Sequence, residues 1–189
     1  MKIFLSHAGA DAADARRLAD KLWDRLRRNS PDVAVFCTSQ PEDRMPDPLL
    51  SIRPGQNFEM EARAAIERLR DYLRENIVTS QAYLVLVTRR SLEESRPWVR
   101  WEILEAQAMA KDQTLRFIPC LLDVPSRTLQ SMVTALIKSE WEEWEVGAIP
   151  DSSLRPYEFQ GVDVSSPRGL EELALALETI DHVAAEPAD

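Results

Sequence analysis

Apolar residues gather in five short runs, at positions 2–6, 33–38, 82–88, 115–122 and 159–164. Three of these runs are continuous and rich in Val, Ile, Leu and Phe. Strands covered on both faces of a parallel sheet have this pattern. The run at 115–122 contains Pro119, which has no N–H to give a ladder, so it is expected near a sheet edge. The run at 159–164 alternates apolar and polar residues, as an edge strand would.

Helical periodicity fills the intervals. Positions 11–28 carry Leu18, Leu22 and Leu26 on one stripe, with Trp23 beside it and Asp11 placed to cap the first turn. Positions 56–75 repeat Phe58, Ala62, Ala65, Ile66, Leu69, Tyr72 and Leu73 at spacings of three and four. A helix over 97–111 starts on Pro97, whose missing N–H does no harm in a first turn. Positions 126–144 carry Leu129, Met132, Val133, Leu136 and Ile137; positions 167–183 carry Leu170, Leu173, Ala174, Leu177 and Ile180, capped by Ser166. Strand and helix thus alternate five times. The alternation predicts an α/β protein with three layers, its five-stranded parallel sheet flavodoxin-like in order 2-1-3-4-5. Residues 1–183 are expected to form one domain, and 184–189 a tail or the start of a linker.

Composition narrows the function. The chain has 189 residues, 44% hydrophobic and 29% charged, with a formal net charge of −9. The acidic balance argues against a nucleic-acid binder and against docking on an anionic membrane. No run reaches ~18 apolar residues and the N-terminus has no signal-like apolar stretch, so a cytoplasmic protein is expected. Cys37 and Cys120 each sit inside an apolar run and read as buried core residues.

In a sheet of this order the ligand crevice lies at the carboxyl ends of strands 1 and 3. Strand 1 ends in Ser6-His7-Ala8-Gly9 and strand 3 in Thr88-Arg89-Arg90. Neither end has the acidic residues that would hold Mg²⁺ in a response regulator. No GxxxxGK[ST] or GxGxxG occurs, and the two histidines, His7 and His182, lie far apart in sequence.

Several segments in order are similar to a known family. Phe4-Leu5-Ser6-His7 resembles the first strand of Toll/interleukin receptor (TIR) domains. Val35-Phe36-Cys37, with a long loop beginning at Gln40 and ending Arg53-Pro54-Gly55, resembles their second strand and BB loop. The strand at 82–88, then Ser91 and Arg96-Pro97-Trp98-Val99-Arg100-Trp101-Glu102, resembles their third strand and third helix. Phe159-Gln160-Gly161-Val162-Asp163 resembles the end of the family pattern. Trp98-x-x-x-Glu102 directs the resemblance to the bacterial, NAD⁺-cleaving branch.

That resemblance implies an NAD⁺ glycohydrolase in bacterial defence or signalling, with Glu102 catalytic and NAD⁺ as substrate, no cofactor being needed. It places Ser6, His7, Trp98 and Trp101 as candidate substrate-binding residues. Residues four apart share a helix face, so Trp98 and Glu102 point the same way. A carboxylate suits the oxocarbenium-like ribosyl centre formed when nicotinamide leaves. Each residue also has a plainer reading: Glu102 as a solvated helix residue, Trp98 and Trp101 as packing, and Arg89 and Arg90 as a solvated pair. Two further functions stay open, a non-catalytic TIR scaffold and a nucleoside deoxyribosyltransferase-like enzyme. The loop from Gln40 to Gly55 carries four prolines and the apolar residues Met45, Leu49, Leu50 and Ile52, and is the expected surface for self-association.

Overall fold

The computed structural model describes residues 1–43, 58–93, 97–110, 115–124 and 161–185. Strand β1 (Lys2–Ser6) leads through a single 3-10 turn (Gly9–Asp11) into α1 (Ala12–Leu26). There follow β2 (Ala34–Phe36), α2 (Phe58–Val78), β3 (Ala82–Val87), a short α3 (Arg89–Glu93) and α4 (Pro97–Ala110). The remaining described elements are β4 (Arg116–Leu121), β5 (Val162–Asp163) and α5 (Pro167–Ala185). The sheet runs β2-β1-β3-β4-β5 with every pair parallel, which is the expected order. The helix expected over 126–144, the acidic stretch with Trp141 and Trp144, and Phe159 and Gln160 lie outside the described residues. So does the long loop beyond Asp43.

Strand alternation divides the core between the two faces of the sheet. Ile3, Leu5, Val35, Leu84, Leu86, Ile118 and Cys120 face α1 and α5, and meet Leu18, Leu22, Leu26, Leu173 and Leu177. Phe4, Phe36, Tyr83, Val85, Phe117 and Leu121 face α2 and α4, and meet Leu73, Ile77, Trp101 and Ile103. On this second face Phe36, Phe4, Tyr83 and Phe117 form a row across β2, β1, β3 and β4, with ring centroids 5.0, 5.5 and 5.4 Å apart. Helix α4 buries Trp101, Glu102, Ile103 and Leu104 in succession, so its second turn is covered more widely than one amphipathic stripe would be.

Three local expectations change. Pro119 does not put its strand at the edge, because β4 lies between β3 and β5. Arg116 and Leu122 donate their N–H groups to the carbonyls of Gln81, just before β3, and of Val87 at its end, so in a parallel ladder the backbone N–H groups at the odd positions of β4 point toward β5. Among the described residues β5 pairs only from Cys120 onward, so no described strand pairs with Pro119 on the side where its N–H is missing. Asp11 does occupy the N-cap position of α1, but its side chain makes no cap hydrogen bond. Instead it is buried and accepts from the Thr88 hydroxyl at 2.9 Å, which ties the start of α1 to the end of β3. Ser166 does cap the last helix, accepting from the Gly169 N–H at 3.1 Å. The third change is α3, which the sequence pattern does not predict. A capping box forms it: Thr88 accepts the Ser91 N–H at 3.0 Å and Ser91 accepts the Thr88 N–H at 2.9 Å.

Candidate functional site

Ser6 closes β1 and points to the same face as Phe4, two residues earlier. Glu102 descends to that face from the second turn of α4. The Ser6 hydroxyl donates to Glu102 Oε2 across 96 residues of chain. Glu102 is 6% exposed and its carboxyl has little water around it. Burial pushes it up from the ordinary 4.5 to about 7, while the Ser6 hydrogen bond pulls the other way. At neutral pH the group is therefore shared between carboxylic acid and carboxylate. A positive charge brought beside it would favour the carboxylate.

Tyr83 lies under the same pair, fully buried in the aromatic row. Its hydroxyl approaches Ser6 and Glu102 but makes no hydrogen bond of normal geometry. Burial, reinforced by the Glu102 charge, holds the phenol well above its usual range, so it stays protonated.

The structure brings Ser6 and Glu102 together but turns His7 elsewhere. His7 Nδ1 donates to the Ala8 carbonyl at 2.9 Å, and that fixes the tautomer because a carbonyl only accepts. Nε2 then accepts the Ser39 hydroxyl at 2.6 Å. Burial lowers the imidazole below its ordinary value, so His7 is neutral at pH 7. Trp98 is half-buried and meets Trp101 edge to face, with centroids 6.2 Å apart. Trp101 itself is fully buried, with the Arg70 and Arg74 guanidinium groups 5.5 and 5.6 Å from its ring centre. Its indole covers the sheet and offers no open face to a ligand, and Trp98 lies one turn before Glu102 on α4. Arg90 is not a free solvated cation: it pairs with Asp11 at 3.2 Å and Asp14 at 2.8 Å. Among the described residues no group of three or more His, Cys, Asp or Glu side chains could hold a metal ion. No described helix is long and apolar enough to cross a membrane.

No protein-family model matches this sequence, and no curated protein matches it. Among solved structures it is similar to the TIR domains in the structure of the activated Roq1 resistosome, which directly recognises the pathogen effector XopQ. The TM-score is 0.54 at 12% identity, covering 93% of this chain and 98% of that one. The chain has the TIR-domain fold. At that identity the likeness concerns architecture alone. Within this TIR fold, Glu102 and Ser6 stand at the sheet end where the winding reverses, the usual ligand position of open parallel sheets.

The sequence pattern missed Tyr83, Ser39 and Asp11 as neighbours of this edge. A readable signal existed for Tyr83, since it is the one hydroxyl-bearing aromatic in a continuous apolar strand. None existed for Ser39, because its contact with His7 depends on how the chain turns after β2.

Proposed function

We propose that the protein cleaves the nicotinamide–ribose bond of NAD⁺, giving nicotinamide and ADP-ribose or its cyclic isomer, in a cytoplasmic defence or signalling setting. The single observation that carries this reading is a lone carboxyl on α4, desolvated and held by Ser6 at the carboxyl end of β1. Nicotinamide leaves with the bonding electrons and becomes neutral, so no strong general acid is required. The positive charge passes to the ribosyl carbon, where an adjacent carboxylate stabilises it. Water then adds to that carbon and gives up its proton to Glu102 or to solvent; in cyclisation an adenine nitrogen adds instead. Trp98, at the same end of α4, is the proposed stacking edge for an aromatic ring of the substrate.

The competing reading is a TIR scaffold without catalysis, and the near-complete burial of Glu102 favours it. Nicotinamide release, followed by chromatography with purified protein and NAD⁺, separates the two. Glu102→Gln and Glu102→Ala are expected to lower the rate by ~10²–10³ or more, with the fold intact by circular dichroism. Full activity in Glu102→Gln would refute the assignment, and no release by the native protein would leave the scaffold. Release of bases from deoxynucleosides in place of NAD⁺ cleavage would point to the deoxyribosyltransferase-like reading.

Self-association through the loop from Gln40 to Gly55 belongs to the same proposal. The first residues of that loop are anchored around the end of β2. Ser39 binds His7, Gln40 donates to Asp20 at 3.1 Å, and Asp43 accepts from the Cys37 N–H at 2.7 Å and, through its carbonyl, from Tyr72 at 3.0 Å. The segment beyond Asp43 therefore starts beside the end of the edge strand β2, where a second copy could approach.

A further inference from the structure

The aromatic row across the sheet consists of Phe36, Phe4, Tyr83 and Phe117, and in only one of its rings does a hydroxyl interrupt the pattern. That hydroxyl is buried beside Ser6 with no hydrogen bond of normal geometry. An unmet buried donor destabilises a fold, and phenylalanine would fill the same space without it. Its position explains the exception. In the β1–β3 register Phe4 stands opposite Tyr83 and Ser6 opposite Val85, so Tyr83 and Ser6 are diagonal neighbours on one face. The two hydroxyls are close enough for Ser6 to act on the Tyr83 phenol.

The hydrogen-bond inventory at this point is complementary. The Ser6 O–H is spent on Glu102, which leaves the Ser6 oxygen able to accept. The Tyr83 O–H is a donor with no acceptor. We propose that Tyr83 is a positioning residue for Glu102, the outer donor of a relay from the Tyr83 hydroxyl to the Ser6 hydroxyl to the Glu102 carboxylate, which closes when the carboxylate is charged. Donation to Ser6 polarises its O–H and strengthens the bond it makes to Glu102. The relay thereby favours the ionised glutamate and fixes which oxygen is held, leaving Oε1 for the substrate. It rests on the reading of Glu102 as the carboxylate of the site.

Other charged groups nearby are occupied. His7 is neutral and held by Ala8 and Ser39. On α2, Arg70 and Arg74 lie over Trp101, and Arg74 is held by Glu105 of α4 at 2.6 Å. Ser6 is the hydrogen-bond partner through which Glu102 is tuned.

The test follows the Glu102 side-chain carboxyl carbon by ¹³C NMR against pH in the full chain, with the signal assigned by its loss in Glu102→Gln. Tyr83→Phe is expected to raise the titration midpoint by roughly half to one pH unit. In a Ser6→Ala background, where the link is cut, the same change is expected to move it no further. Tyr83→Phe keeps the row intact, so at pH 5, where the relay is open, its melting temperature is expected to equal or exceed the native one. A midpoint unmoved by Tyr83→Phe overturns the relay, and so does a shift that persists in full without Ser6. A native Glu102 that does not titrate between about pH 5 and pH 9 also overturns it, because the charged form it serves never arises. Nicotinamide release is measured on the same samples. A shifted midpoint without release upholds the relay and refutes NAD⁺ cleavage; release with an unmoved midpoint does the reverse.

Discussion

Glu102 makes the pH dependence of stability a direct probe of the site. The folded chain holds its proton up to about 7, whereas an unfolded chain releases it near the ordinary 4.5. Between those values the folded state binds more protons than the unfolded state. Stability from this group is therefore fully present below about 4.5, falls as pH rises through the window, and is flat above 7. At ~1.4 kcal/mol per unit the full loss is roughly 3 kcal/mol, and roughly 2–3 kcal/mol of it falls between pH 5 and pH 8. Glu102→Gln carries no proton to lose. It still gives the Ser6 hydroxyl an acceptor, but it adds a buried amide NH₂ whose unmet donors cost about 1–3 kcal/mol, the same at every pH.

The informative quantity is thus the native-minus-variant difference in melting temperature at pH 5 and at pH 8, in which the amide cost cancels. For a chain of this size ~1 kcal/mol corresponds to ~2–4 °C, so the native protein should lose roughly 5–10 °C more than Glu102→Gln over that interval. Differential scanning calorimetry in buffers of matched ionic strength reads this directly. Parallel curves for the two proteins would mean that Glu102 titrates like an exposed carboxylate. The desolvation argument would then fail, and with it the relay built on it.

Two further outcomes concern the edges of the site. Asp11→Ala removes the acceptor of the buried Thr88 hydroxyl and one carboxylate from Arg90, and should cost about 2 kcal/mol in urea unfolding; an unchanged midpoint would show that α1 and β3 are not joined there. Specific activity should rise with protein concentration if a second copy completes the pocket, and Leu49→Asp combined with Leu50→Asp should abolish the rise without unfolding the domain. Activity per molecule that stays flat over a hundredfold dilution, on the order of the range that resolves a micromolar dimer, would refute completion by a second copy.

The fold was legible because its strands differ so sharply from its helices. β1, β3 and β4 are nearly continuous apolar runs, and their boundaries follow the sequence within a residue or two. Edge strands were harder: β2 shortens to three residues, and among the described residues β5 covers two, since edge pairing depends on partners more than on local pattern. Pro119 misled because proline excludes a ladder bond on one side only. Asp11 sits where a cap belongs, yet a hydroxyl from β3, 77 residues away, claims its carboxylate.

Of the candidate site, the sequence made legible the placing of Glu102 and Ser6 at one end of the sheet, and no further. Spacing placed Glu102 on the Trp98 face of α4, and topology placed Ser6 at the crevice. What spacing could not reveal is that α4 is buried at four consecutive positions, Trp101 to Leu104. An amphipathic helix would have exposed one of the four. Instead Trp101 is lost to packing, and Glu102 is desolvated enough to share its proton near neutrality. The same enclosure makes the Tyr83 hydroxyl matter. In water an unmet phenol O–H has no consequence, but in a dry core it must find an oxygen, and Ser6 carries the one that leads to Glu102.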